Sequence, residues 1–311
     1  MINKRSKNKS EGGSISPFAI FRSTKSQDIV FVQILKISAL LVSIVIVAFL
    51  ATLLLSSWPF VKTFGLKALV LRVWDPINDN YGALPFIVTT VLVSVLALIL
   101  SVPFSLSVAF LTKERYLPKR IKDLLTTSLN LITAIPSVIY GFWGLFALAP
   151  IMRIIQLKFG YPPYGVGILT AVLVLTIMII PLSASIASEV IKLVPEELEE
   201  ASYALGANTY ETNLKVILPI ARSGILAGFL LSLGRALGET MAVTMVIGNF
   251  NNFPSNLLGP SNTIASLIAN QFNEASGIHQ SGLIFLGLIL FLITLIFNFT
   301  GNLLILRRLQ K

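Results

Sequence analysis

Residues 223–247 read SGILAGFLLSLGRALGETMAVTMVI, and this stretch decides what kind of protein the chain is. A bilayer core about 30 Å thick is crossed by roughly 20 residues of helix rising about 1.5 Å each. The stretch is long and apolar enough for that, yet it carries Arg235 at its middle and Glu239 four residues on. One continuous helix would put both charges on the same face, about 6 Å apart along the axis. An arginine at the bilayer centre costs at least about 2.5–3.5 kcal/mol on insertion scales. A self-neutralising pair is the plain structural explanation. However, arginine before glutamate is the weaker order at this spacing, and two apolar residues would avoid the desolvation altogether. The charges therefore point to a use. Gly224 with Gly228, and Gly234 with Gly238, form two G-x-x-x-G pairs that predict close helix approach.

Five more stretches have the length to cross: 37–61, 81–112, 124–152, 159–188 and 280–306, none with a charged residue. Their apolar runs are continuous and not alternating, so they predict helices and not membrane strands. Of 311 residues, 55% are apolar and 12% charged, where a soluble chain carries about 25% charged residues. The lack of cysteine excludes a disulfide framework, thiolate zinc, iron–sulfur clusters and a cysteine nucleophile. A single histidine, His279, removes most imidazole chemistry, and its place in a loop predicts a solvated ring. The net charge of +10 does not point to nucleic acid, because the positive residues lie between the apolar runs.

Lys and Arg alternate from one connection to the next, as expected when cytoplasmic segments retain positive charge. Segments 1–33, 113–123, 189–222 and 307–311 hold seventeen; segments 58–84, 150–165 and 248–281 hold five. This predicts six spans with both termini in the cytoplasm: a polar tail 1–33, a membrane domain 34–306 and a short tail 307–311. Lys4, Arg5, Lys7 and Lys9 precede the first span like a signal sequence, but the apolar run far exceeds a signal core, so a retained anchor beside anionic lipid fits better. Trp58 and Trp74 are expected as interface anchors.

The loop LVPEELEEASYALGANTYETNLKVILP, residues 193–219, has more helix punctuation than a plain connector. Pro195 and the acidic residues after it open a helix, and Gly206 supplies a left-handed stop. Asn208 caps a second helix with Glu211 as its capping-box partner, and Pro219 is expected to end it. On composition alone, a solvated helical hairpin explains this as well as a docking element does.

The spacing Glu200-Ala201-Ser202, then Gly206, then Val216, Leu218 and Pro219 resembles the EAA loop of bacterial ABC importer permeases, EAA-x3-G-x9-I-x-L-P. Ser202 and Val216 are its two departures from that pattern. The segment 232–249, SLGRALGETMAVTMVIGN, is similar to the R-A-x-G-E-T element of phosphate-specific importers. With Met241 to Thr244 and the earlier IPSVIYGFWGLF, residues 135–146, it looks like their PstC-type subunit more than the PstA-type one. The resemblance implies an all-α integral membrane protein of six helices with the type I ABC importer permease fold. It implies that Arg235 and Glu239 serve phosphate passage, with Thr240 and Thr244 as hydroxyl donors or as partners of their own backbone. It implies that Glu200, Ala201, Ser202 and Gly206 meet a cytoplasmic ATPase. The partners implied are a PstA-type permease, an ATPase dimer that uses ATP and Mg, an extracytoplasmic phosphate-binding protein and membrane lipid. No cofactor and no nucleic acid is expected on this chain, and no phosphate-loop motif for ATP occurs in it.

Pro103, Pro136 and Pro181 are expected to kink spans two, three and four. Ser101, Ser105, Ser107, Ser137 and Tyr140 either line a polar path or join helices. Phe142, Trp143 and Phe146 read as packing residues. The competing functions are a permease for molybdate, sulfate or phosphonate, a membrane hydrolase, and an anion channel.

Overall fold

The structure, a computed structural model, describes residues 25–113 and 117–309. Most of the polar tail therefore lies outside the described residues, as do positions 114–116 and 310–311. The chain divides into two units, 1–52 and 53–311. Described in the first unit is the start of α1 (Lys25–Phe64), whose side chains are exposed from Ile29 to Phe49. An apolar helix exposed on every side is suited to hydrocarbon and not to water.

The second unit holds the rest of α1 and the helices α2 (Leu84–Lys113), α3 (Lys119–Thr133), α4 (Ser137–Trp143), α5 (Ala149–Lys158) and α6 (Ile168–Lys192). It continues with α7 (Glu196–Ala204), α8 (Thr209–Thr212), α9 (Leu218–Leu237), α10 (Met241–Val246), α11 (Ile264–Gln271) and α12 (Gly277–Leu309). Two-residue strands Trp74–Asp75 and Asn80–Tyr81 pair antiparallel between α1 and α2. Among the described residues, six helical stretches are long and apolar enough to cross a membrane: 29–69, 84–113, 137–158, 168–192, 209–237 and 277–301.

The core is the parallel packing of α2 on α6. Val93 and Ala97 meet Ala171, Leu175, Met178 and Ile179. Hydroxyl contacts keep the register at three levels: Thr176 donates to the Ala97 carbonyl (3.4 Å), Ser105 to the Ile180 carbonyl (3.4 Å), and Thr112 shares a 2.5 Å bond with Ser188. Ser105 thus joins helices, whereas Ser101 and Ser107 bond within their own helix. Helix α9 lies on α6 because Gly224 and Gly228 leave room for Val190 and Ile186, as the first glycine pair predicts. Ser183 donates to Ser232 across the same contact at 2.8 Å. The second pair does not pack this way: the nearest atom to a Cβ on Gly234 would be in Asn298 at 3.9 Å.

Pro103 and Pro181 sit inside α2 and α6 as expected. Pro136 does not kink a helix. It is the N-cap of α4 with extended geometry (ψ 138°), and a proline there disfavours helical geometry at Ile135, so the chain leaves the helical path between α3 and α4. The expected third span is therefore cut: residues 124–133 belong to α3, which begins with Lys119, Arg120 and Lys122, and the crossing stretch is 137–158. Pro219 also fails to end its helix. Leu218 N–H donates five residues back to the Asn213 carbonyl, and this widened turn over Asn213–Ile217 carries α8 straight into α9. Phe142, Trp143 and Phe146 are exposed, although Phe142 and Phe146 stack on each other with ring centroids 6.0 Å apart.

Far from the 193–219 loop, Gln156 is fully buried and sews the connections together. It donates to the Leu258 carbonyl at 2.8 Å and accepts from Gly165 N–H at 2.6 Å. Trp74 is a core residue and not an interface anchor, packed edge-on against Tyr81 and Phe86. His279 is not simply a solvated loop residue. It is half-buried at the start of α12, 3.2 Å from the Gln271 Oε1 that also accepts from Trp74 Nε1.

The glycine contacts predict opposite outcomes for one substitution. A Cβ at Gly228 would stand 2.7 Å from Ile186 Cγ2, so Gly228→Ala should destabilise the detergent-purified protein by about 1–3 kcal/mol through overpacking. Gly234→Ala has room and should be neutral or gain up to about 1 kcal/mol of helix propensity. Paired thermal melts would check the sign of each.

Candidate functional site: a charged helix break and a distal hairpin

Helix α9 stops at Leu237, Gly238 to Thr240 are non-helical, and α10 starts at Met241. The expectation of one continuous helix over 223–247, with Arg235 and Glu239 on the same face, is thus corrected. Arg235 occupies the last turn of α9, at the negative end of its dipole, and Glu239 stands in the break ahead of α10. The glutamate Oε1 accepts from Ala242 N–H at 3.2 Å. Each charge is therefore served by a helix terminus. Both side chains are half-buried, and among the described residues no carboxylate lies within 4.0 Å of Arg235. The self-neutralising pair of the plain explanation does not form.

Small residues hold the break in place. A Cβ on Gly141 would meet Ala242 Cα at 3.1 Å and Met245 Sδ at 2.7 Å, so α10 lies directly on α4. Gly144 opens a π-turn, Gly144–Leu148, and its missing Cβ leaves room for Val174 and Val246. Tyr140, on the same face of α4, is buried and donates to the Ile132 carbonyl at 2.8 Å. Thr240 and Thr244 lie along the break, and their hydroxyls donate to the carbonyls of Gly238 (3.2 Å) and Thr240 (2.7 Å). Of the four residues named from the sequence for the substrate path, Glu239 and Thr240 thus fall in one interruption, which Arg235 at the end of α9 and Thr244 in α10 flank.

The second constellation lies at the other end of the α8–α9 rod. Pro195 occupies the N-cap of α7, one position before the expected first turn, with Glu196, Glu197 and Glu199 following. Gly206 has φ +88°, a left-handed geometry that a Cβ would strain, and no heavy atom lies within 4 Å of where one would stand. The capping box on α8 forms as read: Asn208 Oδ1 accepts from Glu211 N–H (2.9 Å), and Glu211 Oε2 accepts from Asn208 N–H (3.3 Å). Glu200 and Ala201 are exposed, whereas half-buried Ser202 shares a 3.0 Å bond with Thr212 of α8. Leu205 is 90% exposed beside Gly206, an apolar side chain with no cover in this chain. Sequence reasoning missed the ion pair between Lys113 at the end of α2 and Glu199 of α7. These residues lie 86 positions apart, and no local spacing could have joined them.

The family model described as "Binding-protein-dependent transport system inner membrane component" matches residues 101–309. A phosphate transport system permease protein PstC of Pasteurella multocida is 42% identical over 295 residues, covering 90% of this chain and 92% of its own. The PstC of Haemophilus influenzae is 42% identical, over 85% and 88% of the two chains. A probable PstC of Methanocaldococcus jannaschii is 35% identical, over 84% and 88%. Among solved structures, a chain of the MetNI methionine ABC transporter superposes with a TM-score of 0.59 at 18% identity, covering 76% of this chain and 99% of that one. That likeness concerns the fold, which is the fold of ABC importer permeases. A charged break inside an apolar bundle and a hairpin with an uncovered apolar tip thus occur in a member of the binding-protein-dependent transport system inner membrane component family, within its PstC phosphate transport permeases.

Proposed function

We propose that this chain conducts phosphate as one permease subunit of an ATP-driven importer and forms half of the pathway with a PstA-type permease. An ATPase dimer that binds ATP and Mg drives it, and an extracytoplasmic phosphate-binding protein delivers the anion. The lysine and arginine distribution supports a cytoplasmic position for both termini and the 193–219 loop, with 34–306 as the membrane domain. The observation that carries the reading is Arg235: a half-buried guanidinium, at a break in a membrane-spanning helix, with no carboxylate against it among the described residues.

A guanidinium binds two oxygens of a tetrahedral anion through parallel hydrogen bonds, which suits phosphate and sulfate equally. Glu239 would supply the discrimination. Its carboxylate accepts a hydrogen bond from the proton that hydrogen phosphate still carries near neutral pH, and it repels sulfate, which has none. Thr240 and Thr244 can rotate their hydroxyls from backbone carbonyls to the passing anion. At the opposite end, Glu200, Ala201, Ser202 and Gly206 form the surface that seats in the ATPase. Capped helices of this kind pass on a rigid-body displacement that a flexible tether would absorb.

Two sets of variants test this in the native complex reconstituted into vesicles. Arg235→Met should reduce ATP-driven phosphate uptake roughly thirtyfold or more, since losing one charged partner of a desolvated contact costs about 2–5 kcal/mol. Glu239→Gln should lower phosphate uptake and let sulfate compete; phosphate uptake equal to the parent would refute its role. Glu200→Lys and Gly206→Asp should leave the protein inserted while uptake is lost and ATP hydrolysis no longer follows it. Undiminished uptake in both would count against the 193–219 assignment.

A further inference from the structure

Lys113 ends α2, where a chain leaving a membrane would ordinarily point a lysine at water. Its side chain is only 15% exposed and turns inward. The ammonium donates to the Ile191 carbonyl, in the last turn of α6, at 3.1 Å and pairs with the Glu199 carboxylate of α7, itself 18% exposed. One side chain thus ties three elements. Thr112 and Ser188 fasten α2 to α6 immediately beside it, and Ser202 fastens α7 to buried Thr212 of α8. Only Leu193 to Pro195 separate α6 from α7 in sequence. A sheltered ion pair is a poor way to add stability, because desolvation consumes most of the attraction and apolar residues of similar volume would serve as well. What it does provide is a joint of fixed geometry, held by charge and by a directed hydrogen bond.

We infer that the Lys113–Glu199 pair is the joint through which displacement of α7 reaches the α2–α6 body, and hence the charged break at 238–240. The inference rests on the reading of α7 as the ATPase contact. Without the pair, the route from α7 to the α2–α6 body runs through the 193–195 link, which can bend, and the remaining tie of α7 is to α8 through Ser202 and Thr212. With it, α7 moves α2 and α6 together, because those helices share contacts at three further levels. The same core cluster includes Ala236 of α9 and Ala242, Val243 and Val246 of α10, which bracket the break. Lys113 and Glu199 are therefore positioning residues for the coupling step and touch neither the anion nor the nucleotide.

The test is the number of phosphates moved per ATP hydrolysed by the complete importer in vesicles, normalised to assembled complex. Lys113→Met and Glu199→Gln should each lower that ratio roughly tenfold while ATP hydrolysis continues, within the range of typical coupling energies. The exchange variant Lys113→Glu with Glu199→Lys should recover the larger part of it. A native ratio in either single variant overturns the inference, as does an exchange variant no better than the singles. So does a loss confined to the amount of assembled complex, which would mark a purely structural pair. Failure of the unaltered complex to move phosphate would instead overturn the proposed function on which the joint rests.

Discussion

A guanidinium and a carboxylate inside an apolar bundle must each be neutralised, and the way this chain does so shapes the rest of the structure. Uncompensated charge in hydrocarbon is expensive, and the simplest remedy, an Arg235–Glu239 pair on one helical turn, is not the arrangement adopted. The helix is interrupted instead. Arg235 lies at the negative end of α9, and Glu239 receives the Ala242 N–H at the start of α10. Because helix ends and not each other stabilise the two charges, both keep free valence for a third party. A closed ion pair would have been inert toward an anion.

The interruption requires support from its neighbours, since three residues without helical geometry must be held in place between two helices. Support comes from the bare backbones of Gly141 and Gly144, on which α10 sits, and from Tyr140, buried in the same cluster as Ala236, Ala242 and Val246. It comes also from α6, common neighbour of α2, α9 and α10. From that helix the contacts run to the Lys113 ammonium and the α7–α8 hairpin. The charged break and the hairpin sit at opposite ends of the α8–α9 rod, and both are packed against α6 and its neighbours. Such a rod responds to force at one end by moving at the other.

Some of this was legible in the amino-acid order and some was not, for physical reasons. The crossing helices were legible because hydrocarbon thickness imposes a length that composition alone can meet. The α7–α8 hairpin was legible because its caps are local: Gly206 and the Asn208–Glu211 box act within a few residues. Proline was the weak signal. Inside α2 and α6 it is tolerated, at Pro136 it separates two helices, and at Pro219 a π-turn carries the helix past it. Nothing within a short window distinguishes these cases, because neighbouring helices decide whether the freed carbonyl finds a partner. The helix break at 238–240 left an ambiguous signal, because a glycine spaced four from Gly234 suits close helix packing as well as a helix end. The burial of Trp74 and His279, and the Lys113–Glu199 pair, depend on contacts between distant segments and left no local trace.

The central claim is that the side chain at 235 faces a water-filled anion path and acts through its positive charge. The natural absence of cysteine makes this directly measurable. Arg235→Cys, assembled in the complete importer in vesicles, would be treated with small water-soluble thiol reagents that leave either a positive or a negative group. The account predicts that both reagents react, and that only the positive adduct restores ATP-driven phosphate uptake. A cysteine that reacts only with lipid-soluble reagents, or uptake indifferent to the sign of the adduct, would contradict it.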